Sequence, residues 1–276
     1  SGFVGGIQEH GPHAIRRGPD GIPTIMLGNN TFYPDDMVNP TGPLGGPGTP
    51  NPSKESQFLP ALPDGRGFGP SVKEGLHGTI ARIDEGTKQY TLLVGGLRNA
   101  YDHAFNLAGE IFTFDSDMEW DINMPWYRDV RTVHGIPGGN YGYRNGSGKF
   151  PPYFIDSLPA VRDLGRGSPV GVEFYQHTVY PKEFRDAYFE ADWSRGRLLW
   201  TGLERTGATY KATKEKDEFV HGEPLNITDV EVGPDGLIYF SIGGRGTEGG
   251  IYRVKYAGAG ASASTNGSNA APSGVL

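Results

Sequence analysis

The chain has 276 residues, of which 44 are Gly and 22 are Pro, close to a quarter of the total. Those are the two poorest residues for a helix interior, which excludes a helical bundle, yet 36% hydrophobic and 12% aromatic residues suffice for a core. With 25 Lys and Arg against 32 Asp and Glu, the net charge is −7, and without a basic stripe nucleic acid is not an expected partner.

In chain order, one local pattern recurs. His13 to Gly21 (HAIRRGPDG) leads into Ile22 to Leu27. Asp102 to Gly109 (DHAFNLAG) leads into Glu110 to Phe114, and Asp229 to Gly236 (DVEVGPDG) leads into Leu237 to Ile242. Each reads as a short alternating strand, a tight turn and a second strand rich in Ile, Phe or Tyr, which is a hairpin signature. A stretched copy runs from Gly171 to Tyr175, through a loop at Tyr180 to Phe184, into Ala187 to Ala191. Further strands are expected at Gly78 to Ile83, Arg197 to Leu203 and Ile251 to Tyr256. Pro181 to Ala187 has room for one helical turn. Repeated strand–turn–strand units with extra strands between them predict radial repetition, an all-β propeller, with a β-sandwich as the alternative. Two stretches do not fit a blade. Residues 34–70 are dense in Pro, Gly, Asn and Asp and read as a long loop insertion. Residues 257–276 have the composition of a flexible Gly/Ala/Ser-rich tail.

There is no Cys, so disulfides, Cys-ligated zinc and a CxxCH haem are excluded within the chain. No apolar run reaches the length of a membrane span. No signal peptide is visible at the start, where Ser1-Gly2-Phe3-Val4 lacks an initiator Met, as in a processed or excised piece.

Four places can carry chemistry. His10, in Gln8-Glu9-His10-Gly11-Pro12-His13, is a candidate general base, because imidazole accepts a proton near neutral pH; the alternative is a pair of hydrogen-bonded loop histidines. Arg98 and Asn99 in Gly95-Gly96-Leu97-Arg98-Asn99 offer a forked cation and a paired donor and acceptor for an anionic or carbonyl-bearing ligand. The alternative is Arg98 paired with an acidic neighbour. The run Asp115-Ser116-Asp117-Met118-Glu119-Trp120-Asp121 sets carboxylates at alternating positions. Asp115, Asp117, Glu119 and Asp121 suit Ca²⁺ there, although the run is not an EF-hand loop. Pairing with Arg128, Arg131 or Arg144 would neutralise it equally well. The aromatics Trp120, Trp126, Tyr127, Tyr141, Tyr143 and Tyr153 suit packing between sheets, or stacking on a ring. No GxSxG elbow, P-loop, HExxH or dinucleotide fingerprint is present.

Several of these residues carry a family resemblance. Glu9-His10 ten residues before the Asp20-Gly21 turn, Gly96-Leu97-Arg98-Asn99, Asp121-Ile122-Asn123 and Gly138-Gly139-Asn140-Tyr141-Gly142-Tyr143 resemble the glucose/sorbosone dehydrogenase-like β-propellers. Those soluble quinoprotein sugar dehydrogenases are six-bladed and use pyrroloquinoline quinone (PQQ) with Ca²⁺. Asp115 to Asp121, Met124-Pro125-Trp126-Tyr127-Arg128, Arg144 to Lys149 and Gly243-Gly244-Arg245-Gly246-Thr247 look most like the propeller module of exported Planctomycetes–Verrucomicrobia proteins labelled membrane-bound dehydrogenases. The resemblance runs from about His10 to Tyr256. It implies a sugar or polyol ligand, His10 as catalytic base, and Arg98 and Asn99 against quinone and substrate. It also implies an acidic run close to the Ca²⁺ segment, and a periplasmic or extracellular location.

The departures point elsewhere. Where the family's quinoproteins hold the PQQ carboxylates with a Lys and two Arg, this chain has Ser194, Asn226 and Thr228. The match also begins partway into the second blade, leaving about four to five blades over residues 1–256. A six-bladed ring would then need missing N-terminal blades or another protein chain, since an open propeller exposes a strand edge. Two functions follow: quinone-linked oxidation of a sugar or polyol, or a non-catalytic extracytoplasmic propeller serving as a binding or assembly subunit. A hydrolytic or carbohydrate-binding use of the acidic cluster ranks third.

Overall fold

The computed structural model describes residues 4–5, 9–29, 31–32, 78–88, 90–116, 124–143, 157–214 and 217–257. The expected insertion at 34–70 and all of the expected tail except Ala257 lie outside them.

The recurrent turn forms three times with one geometry. In Gly18-Pro19-Asp20-Gly21 the last N–H donates to the first carbonyl at 2.8 Å, and the first N–H donates to Ile22 at 3.0 Å. The same two bonds close Asn106-Leu107-Ala108-Gly109 and Gly233-Pro234-Asp235-Gly236. The fourth residue is left-handed each time, with φ of 77°, 78° and 75° at Gly21, Gly109 and Gly236. A side chain is strained in that conformation, so glycine recurs there.

These hairpins seed four antiparallel sheets. A short pair, β1 (Val4–Gly5) with β4 (Thr31–Phe32), stands apart from them. The first sheet orders β2 (Pro12–Arg17), β3 (Pro23–Leu27), β5 (Gly78–Ile83) and β6 (Tyr90–Leu97), and β10 (Gly139–Asn140) adds in parallel beyond β6. The second orders β7 (His103–Phe105), β8 (Ile111–Asp115), β9 (Arg131–Gly135) and β11 (Arg162–Asp163). The third orders β12 (Pro169–Phe174), β13 (Tyr188–Asp192), β14 (Arg197–Thr201) and β17 (Asp217–His221), with a side hairpin of β15 (Leu203–Thr206) and β16 (Thr209–Ala212). The fourth orders β18 (Ile227–Val232), β19 (Ile238–Gly244) and β20 (Thr247–Val254). Lys182–Phe184 forms a single 3₁₀ turn where one helical turn was expected.

The sheets stack face to face in chain order, because each strand's period of two serves two neighbours. In β8, Ile111 joins Met26, Ile80, Val94 and Val133 between the first and second sheets. Phe112 and Phe114 point the other way and join Val172, Phe174, Tyr188 and Leu199 between the second and third. In β13 and β14, Phe189, Ala191, Leu198 and Trp200 meet Ile227, Val230, Ile238 and Phe240 between the third and fourth. Each such apolar side chain contributes roughly 1.5–3 kcal/mol on burial. A sandwich has one such layer; three successive layers make the arrangement propeller-like.

The first and fourth sheets are tied by charge instead. On β2, Arg16 Nη1 donates to Glu231 of β18 at 3.1 Å. Arg245, in the β19–β20 turn, pairs with Glu9 just before β2.

Candidate functional site

Four strand ends share one rim. His10 precedes β2, Gly28 and Asn29 follow β3, Arg98 and Asn99 follow β6, and Ser116 follows β8. Backbone bonds bind these ends together: Gly28 N–H donates to Gly11 at 2.9 Å, and Asn29 N–H to the Arg98 carbonyl at 3.0 Å.

His10 is buried beneath this rim. Its Nδ1 lies 2.5 Å from Asn29 Oδ1. At its other end Asn29 Nδ2 donates to the Tyr143 hydroxyl at 3.3 Å. With Asn29 Oδ1 toward the ring, the His10 proton sits on Nδ1 and the lone pair on Nε2. Burial pushes the His10 pKa below its ordinary value, and the Arg98 charge adds to that, against the Asn29 bond and Glu9. The ring is neutral at pH 7 and can accept a proton.

Arg98 and Asn99 lie beside it, both buried. Asn99 Nδ2 donates to the Glu9 carbonyl at 3.0 Å, and its Oδ1 faces His13 Nε2 at 2.8 Å. His13 stacks on Tyr101 with centroids 4.1 Å apart. Arg98 Nη1 donates to Ser116 Oγ at 3.1 Å. The three residues singled out in the sequence are thus one constellation, held by Asn29, His13 and Tyr143.

Gly28 is the wedge. A Cβ there would stand 2.5 Å from Asn99 Oδ1 and 2.6 Å from the His10 carbonyl oxygen. Gly28→Ala is expected to cost about 1–3 kcal/mol, as overpacking does, and to separate His10 from Asn99. Urea unfolding reads the first effect, and the His10 imidazole NMR titration reads the second.

Asp115 has a different part from the one its acidic run suggests. Its Oδ1 accepts the N–H groups of Arg98 at 3.0 Å and Asn99 at 3.2 Å, while Oδ2 takes Arg131 Nη2 at 2.8 Å and Nε at 3.2 Å. The carboxylate fixes the backbone of the site and is neutralised by arginine, the pairing the sequence left open. Of the other candidate metal ligands, Asp117, Glu119 and Asp121 lie outside the described residues. Among the described residues, no three His, Asp or Glu are grouped to hold a metal.

Beside His13 and Tyr101, strands β2, β12 and β18 border an open cavity of about 380 Å³ that reaches Arg16, Asp102, Asp229 and Glu231. Arg16 pairs with Asp102 at 2.6 Å and with Glu231 at 3.1 Å, and lies 3.5 Å from Glu173. Burial, the largest cause, raises the Glu173 pKa to about 7 against Arg16, with Glu231 and Asp102 adding to the rise. Sequence reading missed Arg16 and Asn29. An arginine amid the alternating residues of β2, and an Asn directly after the glycine that follows β3, were the available signals.

No protein-family model matches the chain, and no curated protein matches it. Solved structures do. A glucose dehydrogenase superposes with a TM-score of 0.59 at 17% identity, over 88% of this chain and 63% of its own. The PQQ-bound aldose sugar dehydrogenase of Streptomyces coelicolor gives 0.58 at 16%, over 91% of this chain and 63% of its own. The soluble aldose sugar dehydrogenase of Escherichia coli, in its apo-form, gives 0.52 at 15%, over 83% and 59%. This chain therefore spans less than two-thirds of the length of these structures. At such identities the likeness is one of fold: an all-β, sugar dehydrogenase-like architecture.

The side chains present do not fit PQQ as the resembling quinoproteins hold it. The positions expected to carry three cations are neutral, and all three make protein bonds, Ser194 Oγ donating to Asp192 Oδ1 at 3.3 Å. Asn226 Nδ2 donates to the Trp193 carbonyl at 3.0 Å, and Thr228 Oγ1 lies 2.8 Å from Ser241 Oγ. A tricarboxylate there would forgo three charge-assisted pairs, each worth roughly 1.5–3 kcal/mol.

Proposed function

We propose that this rim binds a sugar or polyol, and that His10 Nε2 takes the proton of one of its hydroxyl groups. The activity this serves is quinone-linked oxidation of that hydroxyl, on four sheets read as blades of a six-bladed type of ring: the proton goes to His10, and the hydride of the same carbon leaves to a separate two-electron acceptor of the quinone class. The observation that carries the reading is His10 itself: a buried imidazole whose pKa burial lowers, with Nδ1 2.5 Å from Asn29 Oδ1, an arrangement that puts the ring lone pair on Nε2. Arg98 and Asn99 orient the ligand at its edge. No step is assigned to PQQ.

The test is calorimetric titration with aldoses, paired with dye-linked oxidation with and without added PQQ and Ca²⁺. Aldose binding is expected in the wild type. In His10→Gln, dye-linked turnover should fall by about 10²–10⁴-fold, as for loss of a general base, with binding reduced far less. A wild type that binds no aldose overturns the reading.

A second reading is favoured by the neutral Ser194, Asn226 and Thr228: a binding or assembly module that has lost the chemistry. It is supported if aldoses bind without turnover under every acceptor, and if a partner chain co-purifies on this face.

A further inference from the structure

Away from His10, the β11–β12 connection, the β13–β14 turn and the β17–β18 connection enclose a second cavity of about 670 Å³. That is within the range of small-molecule sites, roughly 300–1,000 Å³. Its lining includes the neutral Ser194 and Asn226 and sets three arginines, Arg166, Arg195 and Arg197, with His221 against two carboxylates, Glu218 and Glu223. Arg197 is committed, to Asp192 at 3.0 Å and Glu218 at 3.5 Å. Arg166 and Arg195 are exposed and have no carboxylate partner among the described residues. Arg166 lies over the Tyr127 ring at 4.5 Å, and Arg195 Nε donates to the Arg166 carbonyl at 3.4 Å. Glu223 is the one lining carboxylate that Arg197 does not take.

Arg166 and Arg195 thus both line one opening, neither paired with a carboxylate among the described residues, and a guanidinium fork is the chemistry that holds a carboxylate in bidentate fashion. Most of the lining is polar, with Pro224 and Leu225 as its exposed or half-buried apolar residues, which suits a hydroxylated ligand. The backbone of the β13–β14 turn packs closely on the β17–β18 connection, where a Cβ on Gly196 would lie 2.4 Å from the Gly222 carbonyl oxygen. The cavity shares the rim of the first site. Its Asn226 is bonded to Trp193, Trp193 Nε1 donates to Gly243 at 2.7 Å, and Arg245 covers Trp193 at 5.5 Å while pairing with Glu9 beside His10.

We propose that this cavity is a subsite for a carboxylate-bearing saccharide, with Arg166 and Arg195 on the carboxylate and the polar lining toward the ring hydroxyls. It rests on the reading that this rim handles sugars, and it narrows the substrate class to acidic ones.

Calorimetry on the full chain compares a glucuronate-containing disaccharide, a neutral glucose disaccharide and inorganic phosphate, none of which requires turnover. The acidic disaccharide should bind at least tenfold more tightly than the neutral one and weaken as salt is raised. An Arg166→Gln/Arg195→Gln variant should lose that tenfold preference while keeping the wild-type melting temperature and its binding of simple aldoses. Equal affinity for acidic and neutral disaccharides, a preference that survives the double variant, or phosphate binding as tightly as the uronate would overturn the proposal. If the uronate preference is absent while aldoses still bind in a His10-dependent way, the subsite falls and the reading of the first site stands. If no sugar binds, both fall.

Discussion

Arg131→Met is expected to lower the unfolding free energy by about 3–5 kcal/mol, the cost of leaving one member of a buried pair alone. Arg131 is 3% exposed and its partner Asp115 1%, so water can solvate neither. The arginine also donates to the Tyr141 carbonyl at 2.7 Å and reaches the Gly96 carbonyl at 3.4 Å. Met fills the space but leaves those acceptors unmet and Asp115 with only the N–H groups of Arg98 and Asn99. Those two amides begin the loop that carries the candidate site, so the damage should reach His10. Asp115→Asn should cost a similar amount for the mirror reason, a buried guanidinium without its counter-charge. The double variant should recover part of the loss, because no unpaired charge remains. Urea unfolding of all four proteins at pH 7 measures this. A loss under 1 kcal/mol in both single variants would show that the pair is not what holds the site.

Asp115 also shows where sequence reading stops. A run of alternating carboxylates has two neutral solutions, a cation or an arginine, and local sequence does not rank them. Arg131 decides it because β8 and β9 pair Asp115 directly with Arg131, and that register belongs to the sheet. The hairpins were legible because their information is local: a glycine at the left-handed position, a proline or small turn residue before it, and alternation on either side. His10, Arg98 and Asn99 were legible because a polar cluster directly before or after a strand falls on a rim. Asn29 was not, since an Asn after a strand is more often a turn residue, and only the fold brings it to His10. Nor was Arg16: its partners Asp102, Glu173 and Glu231 come from three other inner strands or their approaches, and no spacing along the chain relates them.

The central cavity should make stability respond to pH in two opposed ways. Burial depresses His103, the largest cause, to a pKa of about 4 from an ordinary 6.5, with Asp102 opposing and Arg16 assisting. Its Nε2 faces Thr24 Oγ1 at 2.6 Å, and Thr24 donates to the Arg16 carbonyl, so the hydroxyl accepts from Nε2–H. Among the described residues His103 Nδ1 has no hydrogen-bond partner, and a proton placed there would be a buried, unsatisfied charge. With the folded pKa below the unfolded one, His103 contributes stability that is complete above pH 6.5 and lost as the pH falls toward 4, about 3 kcal/mol in all. His10, His13 and His134 are depressed in the same direction and add to the acid-side loss. Glu173 runs the other way. Its folded pKa of about 7 lies above the ordinary 4.5, so stability is complete below 4.5 and falls by about 3 kcal/mol as the pH rises through 7. Between 4.5 and 6.5 the slopes of His103 and Glu173 cancel. Glu173→Gln removes the second slope alone. The variant should match the wild type near pH 4.5 and exceed it by about 3 kcal/mol at pH 8, with a steeper fall on acidification. His103→Gln removes the first slope alone, so that variant should lose stability steadily as the pH rises from 4.5 to 7, the range over which His103 offsets the Glu173 loss in the wild type. Urea unfolding at pH 4.5, 6 and 8 separates the two. If Glu173→Gln is no more stable than the wild type at pH 8, then Arg16 neutralises Glu173 fully, and the carboxylates around this cavity impose no alkaline cost.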